Sequence, residues 1–281
     1  MMIGAIGLFA GMSVMIKLIG PDYHPAQTIF FRNMVAAMVI FPFILKNGVI
    51  GSLSTKQPKV HITRALFGVF GNILYFYAFT RLALADVVVM SQAVPLFVSF
   101  IAATFLGETV GWRRWSSILV GFAGVVIAVN PTGTIELATM AAIIATLFWA
   151  ITMLLTRHMG KTESPYTIVF YYMLTGAIVT GITLPLVWES MSSEIYILIF
   201  VAGVLGAFAQ ILMTYALKLA EASVVSPFNY TAIIWGIIFD LTIWNVTPSM
   251  ETITGAIIIS VAGLYLLHRE GIRKNVTSRK I

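Results

Sequence analysis

The stretch GLFAGMSVMIKLIGPDYHPAQTIFFR, residues 7–32, returns in altered form as TLFWAITMLLTRHMGKTESPYTIVFYY, residues 146–172. In both, a Leu-Phe pair opens an apolar run that ends near a basic residue, Lys17 or Arg157. A turn follows, then a proline (Pro25 or Pro165) and a phenylalanine (Phe30 or Phe170). The parallel extends outward. Tyr77-Ala78-Phe79 matches Tyr215-Ala216-Leu217, and Arg81-Leu82-Ala83 matches Lys218-Leu219-Ala220 after a one-residue slip. Gly124 matches Gly263. The chain reads as two copies, residues 1–134 and 135–281.

Each copy is apolar enough to live in lipid. Of the 281 residues, 59% are hydrophobic and 10% charged. Soluble domains carry roughly 45–50% apolar and about 25% charged residues. An ordinary soluble enzyme and a disordered chain are both excluded. Ten spans are expected, at about 3–20, 27–46, 63–80, 86–107, 115–130, 136–157, 165–187, 194–217, 222–244 and 250–268. Turn residues punctuate them: Gly20-Pro21-Asp22, Asn47-Gly48, Asn130-Pro131, Ser164-Pro165 and Thr247-Pro248. At about 20 residues per span, no room remains for a sizeable extramembrane domain. The first segment lacks a basic flank and a cleavage site, and reads as a retained helix. The absence of cysteine excludes disulfides, zinc-thiolate sites and Cys nucleophiles.

Lys and Arg placement sets the orientation. With the N-terminus cytoplasmic, 14 of the 17 basic residues fall on inner connections and the C-terminal tail. Lys17 and Arg81 lie outside, and Arg32 within a span. The net charge of +6 is therefore mostly a cytoplasmic skirt facing anionic lipid, and no nucleic-acid partner is implied. Both termini are read as cytoplasmic. Five spans per copy place the second copy upside down. Inverted repeats around a site near the midplane are a transporter architecture, because two similar halves of opposite orientation can exchange conformations.

The run Tyr77-Ala78-Phe79, Ala85, Pro95-Leu96-Phe97, Phe105-Leu106-Gly107-Glu108, Gly121 and Gly124 resembles the repeat of the EamA family in the drug/metabolite transporter superfamily. The likeness covers nearly the whole chain, twice. Within the family the chain loosely resembles S-adenosylmethionine uptake transporters. The resemblance implies an all-α, ten-helix, multi-pass protein of a bacterial inner membrane that moves a small organic solute. It implies no cofactor and no metal, and a cavity lined mainly by spans 1, 3, 4, 6, 8 and 9. One departure is plain: the family glutamate is Glu108 in the first copy, but its counterpart is Asn245.

Polar groups in lipid are costly, so those within spans should face protein or water. The repeat pairs Asn72 with Gln210, and Gln92 with Asn229. Carboxamides offer donors and an acceptor without fixed charge, which suits a zwitterion or a heterocycle edge. The alternative is interhelical bonding worth about 0.6 kcal/mol each. Pro95 and Pro227 interrupt spans four and nine and read either as hinges or as static kinks. Arg32 and Asp240 are the formal charges set deep within spans. They are expected to form an outer gate with Lys17, or Arg32 to meet an anionic substrate group and Asp240 to carry a coupling proton. Snorkelling to the interface or a static ion pair is the plainer reading, and it is the favoured one for Lys17. Tyr75, Trp149, Tyr230 and Trp235 are placed to stack on a planar or cationic solute, or else simply to pack. Trp112, Trp115 and Trp188 read as interfacial belts. Small stripes at Gly4, Gly7 and Gly11, at Ser117, Gly121 and Gly124, and at Gly255 and Gly263 read as packing within the monomer, with a homodimer through spans five and ten as the second reading.

A secondary transporter of a small organic metabolite is the leading expectation. A lipid or amphiphile flippase would use the same scaffold. No Walker A pattern, His-Glu-x-x-His or Gly-x-Ser-x-Gly is present, and His24, His61, His158 and His268 all fall at loops or span ends. An intramembrane enzyme is therefore not expected. No channel filter is visible.

Overall fold

The structure is a computed structural model that describes residues 1–46, 54–105, 112–129, 136–219 and 226–278. Among these residues every regular element is helical. In chain order they are α1 (Met2–Ile19), α2 (Pro25–Lys46), α3 (Pro58–Phe79), α4 (Leu84–Ser91), α5 (Val94–Phe105), α6 (Trp112–Val129), α7 (Leu137–Met159), α8 (Pro165–Val187) and α9 (Ser193–Leu219). A 3-10 turn (Ser226–Tyr230), α10 (Thr231–Phe239), a π turn (Asp240–Trp244) and α11 (Met250–Ser278) follow. Six of these, α1, α2, α3, α7, α8 and α9, are long and apolar enough to cross a membrane. Four shorter apolar stretches, Leu84–Val98, Trp115–Val129, Phe228–Trp244 and Met250–Leu266, fall where the sequence implies the remaining spans. Asn47-Gly48, Glu108 and Asn130-Pro131 lie outside the described residues.

The polarity runs inside out. Leu119, Ile182, Leu186, Ile197 and Val261 are exposed, while Gln27, Arg32, Asn33, Gln210 and Asp240 are buried. A soluble monomer rarely exposes such apolar area. Lipid accepts it, and requires the polar groups to turn inward.

The helix ends follow local chemistry. Gly20 ends α1 at φ 82, where a side chain would be strained, and Pro21 prevents continuation. Ser164 caps α8, its Oγ accepting from the Thr167 N–H at 3.1 Å, with Pro165 at the first helical position. Ser249 caps α11 in the same way on Thr252. Asn245 takes a left-handed conformation after the π turn, which Asn tolerates better than Glu would. The departure from the family glutamate thus coincides with a helix stop. α11 runs to Ser278, ten residues past the expected end of span ten, because good helix formers such as Arg, Glu and Lys continue it beyond the apolar part.

The helices pair in a regular way. α1 packs along α9, and α3 along α7. α2 packs along α8, α6 along α11, and α4 against α10. α2 also touches α9, as α3 touches α8.

The small stripes are consumed by these contacts. A Cβ on Gly255 would meet Ala128 and the Gly124 backbone, and one on Gly124 would meet Ile258. Gly121 lies against Leu96, and Gly263 under the Tyr230 hydroxyl. Spans five and ten use these faces on each other and on their neighbours, so the surface on which the dimer reading rested is already covered.

Candidate functional site

A cavity of about 160 Å³ opens between α1, α3, the α4–α5 junction, α7, α9 and the start of α10. These are the spans that the resemblance implies, with Arg32 added from α2. Asn72, Tyr75, Gln92, Pro95, Trp149, Gln210 and Asn229 all line it. Both carboxamide pairs therefore meet in one space, from positions about 137 residues apart in the chain.

Their local settings differ. Asn72 Nδ2 donates to the Tyr172 hydroxyl at 2.8 Å. Gln92 Nε2 donates weakly to Val88 O and Ser91 Oγ, both at 3.3 Å. Gln210 Oε1 is buried without a partner. Asn229 sits in the 3-10 turn, half-buried. The Tyr75 hydroxyl shares a 2.9 Å hydrogen bond with Thr146 Oγ1, and Trp149 meets Phe9 edge-on at 6.0 Å. Phe76 and Phe79 complete an aromatic wall, and Met2, Met12, Met153 and Met213 add polarizable sulfur.

Pro95 lies two residues past a break. The Ala93 N–H bonds Met90 O at 3.1 Å in a tightened turn between α4 and α5. Pro95 has no N–H to give Ser91 O, so the helix cannot run on unchanged. Gln92 sits in this turn, and Asn229 in the 3-10 turn that also holds Pro227. Both members of this carboxamide pair thus occupy non-α backbone. Pro227 lies in the 3-10 turn with which the described part of span nine begins.

Two sequence expectations are corrected here. Tyr230 does not reach the cavity: its hydroxyl points at Gly263 of α11 and has no hydrogen-bond partner. Trp235 instead stacks on Phe239 at 5.8 Å.

The charges also rearrange. Lys17 does not snorkel. Its Nζ lies 2.9 Å from Asp240 Oδ1 and 4.4 Å from the Trp244 ring centroid, with 13% of the Lys17 side chain exposed and 1% of Asp240. Asp240 Oδ2 accepts from the Ala85 N–H at 2.7 Å. One carboxylate thereby ties α1, the start of α4 and the π turn after α10. Arg32 lines the cavity, and its polar contacts are with Met12, Asn33 and Met173 rather than with Lys17 or Asp240. Arg64, expected in an inner connection, is buried in α3. Its Nε donates to Thr156 Oγ1 at 2.6 Å, and its guanidinium lies 4.5 Å from the Tyr172 ring centroid. His61 is likewise buried within α3.

The cavity follows α1 from Met2 to Ser13, roughly 16 Å at 1.5 Å per residue. It stops short of Lys17. It is thus lined toward the N-terminal end of α1, and neither Lys17 nor Asp240 is part of its lining. Two latches tie the surrounding helices. Gln27 exchanges two hydrogen bonds with the backbone of Glu189, at 2.7 and 2.9 Å. At the opposite ends, Glu163 Oε1 accepts from Thr55 Oγ1 at 2.9 Å and from the Lys56 N–H at 3.1 Å, while Gln57 Nε2 donates to Thr162 Oγ1 at 2.7 Å.

Sequence reasoning did not single out Phe9, Met12, Ser91 or Tyr172. The first two are ordinary residues of an apolar span. Ser91 carried a usable signal, as a polar neighbour of Gln92. Tyr172 matters through tertiary contacts with Asn72 and Arg64, which no local pattern announces.

The sequence pattern of the EamA-like transporter family matches this chain twice, over residues 1–130 and 137–269. The S-adenosylmethionine uptake transporter of Rickettsia prowazekii is 29% identical, over 95% of this chain and 90% of that one. The pseudopaline exporter CntI of Pseudomonas aeruginosa is 26% identical, over 92% and 91%. The riboflavin transporter of Brucella anthropi is 26% identical, over 96% and 98%. A solved crystal structure aligns over 96% of both chains with a TM-score of 0.68 at 16% identity, a likeness of fold. The chain belongs to the EamA-like transporter family, as a multi-pass integral protein of the inner membrane.

Proposed function

We propose that this protein is a secondary transporter, not an enzyme, which carries a small organic metabolite by alternating access through the central cavity. Residues 1–134 and 135–281 are its two inverted five-helix repeats, with both termini cytoplasmic. The helix pairing supports this arrangement: α1 on α9 and α3 on α7 are the contacts that a two-fold exchange of the halves would interchange. α2 on α8, and α6 on α11, would map onto themselves. The latches at opposite ends obey the same exchange.

The observation that carries the reading is one cavity holding both carboxamide pairs, which ends short of the buried Lys17–Asp240 pair. With the N-terminus cytoplasmic, the cavity is inward-facing and the ion pair is the shut outer gate. Asn72, Gln92, Gln210 and Asn229 then contact the solute, Tyr75 and Trp149 stack on it, and Pro95 lets span four bend. The relatives' printed substrates, S-adenosylmethionine, pseudopaline and riboflavin, support a small organic metabolite as the solute.

Proteoliposome counterflow tests this reading. Vesicles preloaded with an amino acid, a nucleoside, S-adenosylmethionine or riboflavin should take up the same labelled solute saturably. Lipid scrambling without saturable solute exchange would favour a flippase and overturn the transporter reading.

A further inference from the structure

Arg32 lines the cavity although only 2% of it is exposed. Its partners are neutral. Nη1 approaches Met12 Sδ at 3.4 Å, and Nη2 donates to Asn33 Oδ1 and faces Met173 Sδ at 4.0 Å. The Phe76 ring centroid is 5.6 Å from the guanidinium carbon, and Nε has no partner. Among the described residues the one ion pair is Lys17–Asp240, so no described carboxylate neutralises Arg32. Arg64 stands beyond Tyr172 with Nη2 also unpartnered. Tyr172 lies against the Arg64 guanidinium and takes the amide of Asn72. The cavity lining thus carries the positive charge of Arg32 and no acid, with that of Arg64 behind it. A lone buried charge is costly, and a guanidinium stays protonated in proteins. An anionic occupant of the cavity would supply the missing counter-charge. Gln210 Oε1, buried and without a donor, adds an acceptor in the same lining.

We propose that the cavity selects solutes bearing a carboxylate, received by the Arg32 guanidinium, with an N–H group of the same solute donating to Gln210 Oε1. Arg32 is the specificity residue, and the aromatic wall of Phe9, Tyr75 and Trp149 takes the rest of the molecule. The fork of a guanidinium matches a carboxylate in two parallel hydrogen bonds. The inference rests on the transport reading above and names its substrate class.

Matched pairs test it on the purified full-length protein by thermal shift. The probes are L-methionine against L-methioninamide, L-tryptophan against L-tryptophanamide, and S-adenosylmethionine against its decarboxylated analogue. At least one acid should raise the melting temperature while its neutral partner, at equal concentration, does not. Arg32→Gln should weaken that acid's binding by about thirtyfold or more, and Arg32→Lys by less. Without ligand, Arg32→Gln should melt no lower than the wild-type protein, since it removes an uncompensated charge. Equal shifts by acid and neutral partner, no shift by any acid, an undiminished shift in Arg32→Gln, or a lower unliganded melting point in that variant would each overturn the inference. Its failure is distinguishable from that of the transport reading. Counterflow of neutral solutes would persist in the first case and be absent for every solute in the second.

Discussion

An ammonium and a carboxylate 2.9 Å apart among apolar helices hold each other in the charged state. Removing one strands the other. Lys17→Met should leave Asp240 with the Ala85 N–H as its remaining partner, and should cost about 3–5 kcal/mol of stability, as breaking a buried pair does. Lys17→Met with Asp240→Leu removes both charges and should recover most of that loss. Thermal melts of the wild type, both single variants and the double variant complete the cycle. Additive losses would mean that the two groups do not interact. The carboxamides should behave differently. Gln210→Ala or Asn229→Ala should change stability by about 1 kcal/mol or less, yet remove most of the thermal shift produced by a bound solute. Asp240 is conspicuous in the sequence because an acid in a span is expensive. Its partner is not, because Lys17 stands near a span end, where a long side chain ordinarily reaches the interface. Only the packing of α1 beside α10 brings the two together. Arg64 was hidden for a related reason: seven residues into α3, it reads from the sequence as part of a basic inner connection.

Span four is two helices joined by a tightened turn, and Pro95 gives the physical cause. Pro95→Ala restores an N–H able to bond Ser91 O. The expected result is a continuous helix through residues 91–96, slower amide exchange there, and a severalfold fall in exchange rate at unchanged half-saturation. Unaltered turnover would make the break a static kink. The α6–α11 pair makes the opposite point. Its helices approach closely because Gly124 and Gly255 carry no side chain, while Gly263 of α11 makes room for the Tyr230 hydroxyl. Gly263→Val would drive a methyl-bearing side chain into the Tyr230 hydroxyl, and overpacking of this kind costs about 1–3 kcal/mol. A lower melting temperature with cavity binding retained is the expected outcome, because Tyr230 lies outside the cavity. At this scale the sequence is informative about where spans lie, since hydropathy and proline are local signals. It is poor on which face of a helix is occupied. Tyr230 sits one residue from Asn229, yet a 3-10 turn sends one side chain to the cavity and the other toward α11. A reading in ideal helical register has no means to foresee that division.

The fold as a whole was legible because it is written twice. Two weak copies support each other where one would be noise, and their odd span number is the ground for the inverted arrangement proposed above. What symmetry leaves unspecified is the state in which the molecule rests. Here the asymmetry has a chemical origin. The register that pairs Gln92 with Asn229 pairs Asp240 with Ala103, so the ionic tie that closes one end has no acidic equivalent at the other. The latches at Gln27–Glu189 and at Glu163–Thr55 exist at both ends and therefore bias neither. On the transport reading proposed above, an inward-facing resting state follows, held by one ion pair. Because the chain has no cysteine, introduced thiols can be read without background. Lys17→Cys with Asp240→Cys, joined by a short reducible cross-linker, should abolish counterflow, and reductant should restore it. In the cross-linked protein Ser13→Cys should still react with a membrane-impermeant thiol reagent from the cytoplasmic side and not from the outside, because the cavity stays open inward. Cross-linking Gln27→Cys with Glu189→Cys should leave counterflow largely intact, since that contact belongs to the fixed scaffold. Full transport with the first pair cross-linked would mean that access does not alternate at Lys17–Asp240. Loss of transport with the Gln27–Glu189 pair cross-linked as well would mean that the bundle moves as more than a scaffold with one gate.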